Sequence, residues 1–328
     1  MQKGSIDLHA HLGSMVNSRN LWKIAKMQGI NLGINTCEEF DNVINKPSNK
    51  NHEEYLKRFD LTQKIQSSPA AVSESVYSAV ELAYDGGLSG IEIRFNPMLR
   101  NKSGYYDLDS MIYSACHGLR RGIEAFGIKA GIIISTDRSF NTSKSSILAE
   151  KALKYKDFGI VGLDCSGSME NGKDITSFKK AYEIAIEGGI NRTFHLGELE
   201  KYTNYNETKI AIQELKLNRI GHGIQFANDN SIIKLLLDND VCLELCYTSN
   251  LRTKVVDSVK EFVEKLHVLH KAGVQYTINT DGNIFLNTNM KNEYKLLYLA
   301  SELYRGAEFA EQVVSKSKIN SLNYSFIK

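Results

Sequence analysis

His9 and His11 flank a single residue at the end of the run Ser5-Ile6-Asp7-Leu8-His9-Ala10-His11. If that run is a strand, residues two apart project from the same face, so both imidazoles point one way. Such a pair alone is weak evidence. The chain has only eight histidines, however, and two more, His195 and His222, also close strand-like runs, as does Asp281. Three neutral imidazoles and a carboxylate suit Zn²⁺ with one position left for water. This predicts His9, His11, His195 and Asp281 as ligands of one zinc ion per chain. Glu198 follows His195 by three residues, in the turn leaving the same strand, where it can face a substrate and transfer a proton. His222 could be a further ligand or a base beside the metal. Because four ligands already fill a set, the base or electrostatic role is favoured. The competing reading is a ring of hydrogen-bonded polar groups with no metal.

These residues lie far apart in sequence, so the fold must gather them. Eight strand-like runs alternate with amphipathic helical stretches: 5–11, 90–95, 130–136, 159–164, 192–195, 219–222, 241–246 and 274–281. That number and rhythm predict an α/β fold of the (β/α)₈ TIM-barrel class, whose active sites form at the carboxyl ends of the strands. Met111, Ile112, Ala115, Leu119, Ile123 and Phe126 mark one helical face, and Gly127 supplies a stop. Asp229 or Asn230 is a candidate cap for the apolar run after it, and Gly273 ends the helix that starts near Lys260. A long helical excursion from Leu12 to Ser89 follows strand one on the catalytic face, which makes it a candidate lid or pocket wall. The segment after Gly306 is expected to be an extra helix that seals the far end.

No linker, repeat or composition break divides the 328 residues, so a single domain over 1–328 is expected. Hydrophobic residues make up 42% and charged residues 24%, the balance of a globular protein. Forty Lys and Arg against 38 Asp and Glu leave a charge of +2, which gives no reason to expect nucleic-acid or membrane partners. A small-molecule substrate is the expected partner; oligomeric state is not legible. Five cysteines, Cys37, Cys116, Cys165, Cys242 and Cys246, read as reduced thiols in a cytoplasmic protein.

The ordered phrases DLHAHLGS (7–14), IEIRFNP (91–97), LDCSG (163–167), HLGE (195–198), RIGHG (219–223), LCYTSN (245–250) and NTDG (279–282) resemble the adenosine deaminase family across essentially the whole chain. The resemblance implies a zinc amidohydrolase barrel with His9, His11, His195 and Asp281 as ligands. Glu198 looks like the acid that protonates the purine N1 as water attacks C6. His222 looks like the histidine that orients the metal-bound water and shuttles its proton. Gly167 resembles the glycine whose backbone amide contacts the purine N3, and Asp164 matches an acid with a supporting role in the same phrase. The chemistry is coherent, because attack on an aromatic C–NH₂ carbon needs a proton at the adjacent ring nitrogen to receive the electrons. No covalent intermediate is required, so Cys165 and Ser166 are read as packing and turn residues.

Two departures bear on the substrate. The family phrase at strand eight carries a second aspartate that contacts purine N7; here Gly282 stands in its place. The family also carries an acid after the leucine of strand one that helps bind the ribose, where this chain has Gly13. Asn17 and Asn20 are candidates to compensate on proximity alone. Intact chemistry with an altered pocket predicts deamination of adenosine or a related purine nucleoside. Alternatives are a modified purine, a nucleotide, a non-purine aminoheterocycle, hydrolysis of another C–N bond, or a non-catalytic binding protein. A cytidine-type deaminase is disfavoured because the H-x-E and P-C-x-x-C signature is missing. His52, His117, His267 and His270 are expected in surface or packing roles. Arg94 is expected to pair beneath the pocket with Glu92 or a neighbouring acid, and Tyr247 to Asn250 can shape the pocket.

Overall fold

The computed structural model describes residues 4–45, 52–101, 107–170 and 172–327. Its parallel strands are β1 (Ile6–His11), β2 (Gly90–Phe95), β3 (Lys129–Asp137), β4 (Ile160–Ser166), β5 (Asn191–Arg192), β6 (His195–Leu196), β7 (Arg219–His222), β8 (Cys242–Leu245) and β9 (Tyr276–Ile278). Among the described residues, four α-helices separate β1 from β2: α1 (Ser18–Met27), α2 (Cys37–Ile44), α3 (His52–Ile65) and α4 (Pro69–Asp85). The remainder wrap the strands or follow them: α5 (Leu108–Phe126), α6 (Thr142–Lys154), α7 (Lys179–Glu187), α8 (Tyr205–Gln213), α9 (Asn230–Asp238), α10 (Tyr247–Arg252), α11 (Val259–Lys271), α12 (Met290–Arg305) and α13 (Ala307–Asn323).

Strand order runs β1 to β5 and then β6 to β9, every pairing parallel. The strand expected over 192–195 is interrupted, and its two pieces pair on opposite sides. Backbone bonds bridge the break: Thr193 N donates to Leu163 O at 2.9 Å, and Gly221 N donates to Phe194 O at 2.9 Å. The expected strand over 274–281 is regular only at Tyr276–Ile278. Beyond it the Asn279 side chain accepts from Leu8 N at 3.0 Å, replacing ladder bonds. Asp281 then pairs with β1 through His9 O and His11 N, at 2.9 and 3.2 Å. The ring is thereby closed in the barrel manner.

Local sequence explains the elements. Ser68 caps α4, which has Pro69 in its first turn, and Thr36 with Glu39 forms a capping box on α2. Asp229 caps α9, and Gly127, in the left-handed region at φ 69°, ends α5. β2 is buried throughout, as a barrel strand covered on both faces should be. Its alternation nevertheless matters: Ile91 and Ile93 join the hydrophobic core, while Glu92 and Arg94 reach side chains of β7 and β8 across the interior.

That interior holds a continuous chain of charges. Glu244 accepts from Arg94 Nη2 at 2.7 Å and Arg219 Nε at 2.6 Å, and Arg219 Nη2 donates to Glu92 at 2.6 Å. Arg94 thus pairs with Glu244, and with Asp164 at 3.6 Å, rather than with Glu92. The segment after α13 closes the amino-terminal end of the barrel. Ser325 Oγ bonds Glu92 at 2.8 Å, and the Phe326 ring lies 3.5 Å from the Arg219 guanidinium. Glycines at the strand starts make room for it, since a Cβ at Gly90 or Gly131 would meet Ile327 and one at Gly162 would meet Phe326.

Burial opposes ionisation of Glu244, but Arg94 and Arg219 hold its carboxyl well below the ordinary range. Its contribution is therefore complete above the unfolded value of about 4.3 and is lost as the pH falls below it. Substituting Glu244→Ala would remove the carboxylate that two buried guanidinium groups share, leaving Arg94 only the longer pair with Asp164 and Arg219 only Glu92. The expected cost is about 3–5 kcal/mol, read as a lower urea midpoint for the metal-free protein.

Candidate active site

The site forms where β1, β6, β7 and the residues after β9 end on the same barrel face. His9, His11 and His195 offer ligand atoms that all lie within 4.8 Å of one another. His11 Nε2 faces His195 Nε2 at 3.2 Å, and Asp281 Oδ1 lies 3.6 Å from His9 Nε2 and 3.4 Å from His11 Nε2. His9 Nε2 is buried with no hydrogen-bond partner. An orphaned imidazole nitrogen among converging nitrogens and a carboxylate is what a bound cation would satisfy. The donor set therefore fits a metal ion.

The outer atoms of these groups are fixed from behind. His9 Nδ1 bonds Glu244 Oε2 at 2.7 Å, and His195 Nδ1 bonds Asp164 Oδ1 at 3.1 Å, which turns each Nε2 inward. Asp164 is held in turn by Ser135 Oγ at 3.0 Å. It is fully buried and stands behind His195, so its contact is with the ring and not with the pocket. Asp281 Oδ2 accepts from Ser249 Oγ at 2.6 Å and Tyr55 Oη at 3.1 Å, leaving Oδ1 toward the histidines. Burial, with the adjacent rings of His195 and His9, holds His11 well below the usual imidazole value against the pull of Asp281. A neutral ring is the ligating form.

A second cluster, His9, His222 and Cys246, shares one member with the first. Burial pushes the Cys246 thiol well above its ordinary value, and its Sγ contacts Glu244 O at 3.4 Å. A protonated thiol is a poor ligand, so the histidine and aspartate set is the better metal site.

Glu198 Oε2 lies 3.3 Å from His52 Nε2 and 3.6 Å from His222 Nε2. Burial works against ionisation of Glu198, yet the imidazoles of His222 and His52 bring it down to about 2. Burial dominates at His222 and lowers it to about 4. His52 is buried as well, but the Glu198 carboxylate raises it to about 9. His222 and Asp281 both adopt left-handed backbone, at φ 64° and 58°, an uncommon conformation for residues other than glycine. Such backbone is held only where surrounding bonds determine it.

A cavity of about 410 Å³ opens onto this cluster. Its walls include His11, His195, Glu198, His222, Asp281 and Gly167. The long excursion supplies one wall through α3, where His52, Tyr55 and Phe59 face the cavity. His52 is thus not in a surface or packing role; sequence reading missed it because its helix gives no sign of facing a strand end. Asn17 and Asn20 do not compensate for Gly13. Asn17 caps α1 and Asn20 bonds Ser78 Oγ at 3.0 Å. Tyr247 to Asn250 brace the site instead of lining it, with Asn250 Nδ2 3.4 Å from His222 Nδ1.

Both departures leave a mark on α3. A Cβ on Gly13 would sit 2.7 Å from the Phe59 ring, and one on Gly282 would sit 2.1 Å from Tyr55 Oη. Aromatic side chains occupy the space that two acids would need.

The adenosine deaminase family profile matches residues 5–328. The chain belongs to the adenosine deaminase family. Among relatives, adenosine deaminase of Vibrio vulnificus is 30% identical over 94% of this chain and 92% of its own length. That of Clostridium perfringens is 30% identical over 88% and 86%. An Arabidopsis N6-mAMP deaminase structure superposes with a TM-score of 0.81 at 25% identity, covering 99% of this chain and 94% of that one. An adenine deaminase structure from Arthrobacter aurescens gives 0.83 at 20% identity and shares the fold. Membership makes this chain a metal-dependent hydrolase of the purine deaminase type. No helix among the described residues is long and apolar enough to cross a membrane.

Two outcomes follow for this family member. Asp164→Ala frees His195 to turn, and zinc affinity is expected to drop about 10–100-fold in competition with a chelator. Because His52 keeps its proton until about pH 9, kcat/KM is expected to fall as the pH rises through that value. A pH–rate profile of His52→Gln should lack that alkaline limb.

Proposed function

We propose that this chain is a zinc-dependent hydrolytic deaminase of adenosine or a related purine nucleoside, with His9, His11, His195 and Asp281 holding the metal. The observation that carries the reading is Glu198 standing beside His222 and His52 in the cavity lined by His11, His195 and Asp281, with His9 buried behind them. When bound, zinc would supply an acidified water for attack on the carbon bearing the amine.

The remaining work falls to side chains of this chain. Glu198 presents a carboxyl oxygen to the ring nitrogen next to that carbon, and the ring accepts a proton as its electrons are displaced. In the free enzyme His52 carries the proton beside Glu198, so the pair holds one proton ready for the substrate. His222, neutral at physiological pH, accepts the proton that the attacking water loses. That proton reaches the departing nitrogen, ammonia leaves, and the proton still on the added oxygen returns to the Glu198–His52 pair while the ring keeps the oxygen. Gly167 lines the same cavity at φ 107°, and the Asp137 carboxylate, also on the cavity wall, packs where a Cβ would be. Gly282 offers no side chain to purine N7, and the Tyr55 hydroxyl beside it is the available polar group.

The same reading takes residues 1–328 as one catalytic domain. The five cysteines, all unpaired, support the cytoplasm as its compartment.

The test is ammonia release by the zinc-loaded protein from adenosine, 2′-deoxyadenosine, N6-substituted purines and non-purine aminoheterocycles. Turnover of a purine is expected, with kcat about 10²–10⁴-fold lower in Glu198→Gln at unchanged zinc content. Ammonia from no purine, with zinc bound, would sink the reading.

A further inference from the structure

Arg100 follows β2 and lines the cavity, yet it belongs to none of the groups that perform the chemistry. The residue is 97% buried, the complement of 3% exposure. Nε donates to Gln66 Oε1 at 3.2 Å and Nη1 donates to Asn96 O at 3.3 Å. Nη2 has no hydrogen-bond partner among the described residues, and no described carboxylate pairs with the guanidinium. Burial alone brings its pKa down to about 9, so it remains charged at neutral pH. The contrast with Arg94 and Arg219 is direct, because each of those has a buried carboxylate against it.

An uncompensated cation in a buried setting is costly unless an anion joins it. No described residue supplies one. Gln66, which holds Arg100, also donates to Leu12 O at 3.1 Å, so the guanidinium is tied to the turn after β1. Gly13 in that turn has no side chain, and Phe59 and Thr62 fill the place a carboxylate would take. The acidic side chains on the same wall, Glu53 and Asp60, are more exposed, and Glu53 accepts from Ser168 Oγ at 3.0 Å.

We infer that Arg100 is an anion subsite of the substrate pocket, and that the substrate is a purine nucleoside carrying a phosphomonoester. This rests on the deaminase reading above and names the form of nucleoside it takes. A guanidinium already fixed by two bonds loses little freedom when it presents its free edge to phosphate oxygens. Replacing an acid by glycine at the same end removes the charge that would repel them.

Ammonia release would be compared for adenosine, adenosine 5′-monophosphate and adenosine 3′-monophosphate, using the zinc-loaded full chain and its Arg100→Gln and Arg100→Lys variants. One monophosphate is expected to exceed adenosine at least about 30-fold in kcat/KM. Arg100→Gln should erase that preference, and Arg100→Lys should keep part of it. Adenosine matching both monophosphates in the wild type would overturn the inference. So would an equal loss for adenosine and monophosphate in Arg100→Gln, the mark of a merely structural role. If Arg100→Gln does not fold, the wild-type preference and the Arg100→Lys ratio decide. If nothing releases ammonia, the deaminase reading fails, and calorimetric titration with the two monophosphates judges the subsite alone. Binding weakened in Arg100→Lys would uphold it, and binding that is absent or unchanged would overturn it.

Discussion

Two of the candidate metal donors, His9 and His195, are oriented through one buried carboxylate. Glu244 lies between Arg94 and Arg219 and also fixes His9 through Nδ1. In a barrel interior of low polarity, a single charge of either sign would be intolerable, so the groups hold one another in place. The series continues to both ends. Arg94 reaches toward Asp164, which fixes His195, while Arg219 reaches Glu92 and the residues after α13. Directional bonds then orient the rings, which packing of apolar side chains could not do alone.

A different part of the molecule shapes what enters. The barrel strands contribute histidines and Asp281, but the wall opposite them comes from α3. Tyr55, Phe59 and Phe285 pack edge to face, with ring centroids 5.0–6.3 Å apart, so this helix is seated by aromatic contact. Arg58 adds a bond to Phe285 O at 2.9 Å. The α3 helix therefore meets the strand ends twice, through the Tyr55–Asp281 bond and through His52 beside Glu198.

Much of this was legible in the sequence because barrel geometry converts strand ends into neighbours. The histidines of β1, β6 and β7 could be placed together without knowing any distance. The break at Thr193 and Phe194 was not legible, since four residues of strand-like composition do not reveal which neighbour each one pairs with. Nor was the role of Asp164, whose identity says nothing about whether it faces substrate or the back of a ring. His52 was hidden for a related reason: helical periodicity locates a buried face but not the cavity beneath it. The glycines at 13 and 282 read as losses, and only the packing of α3 shows what took their space.

That packing has an evolutionary consequence. Restoring an aspartate at position 282 by one substitution would drive its Cβ into the Tyr55 hydroxyl, which is wedged by Phe59 and Phe285. Tyr55 would have to shrink first, and the intermediate would lack both polar groups. The order of steps is thus constrained, because Asp at 282 and Tyr at 55 do not fit together in this packing. What position 282 can hold is set by a residue on another segment of the chain.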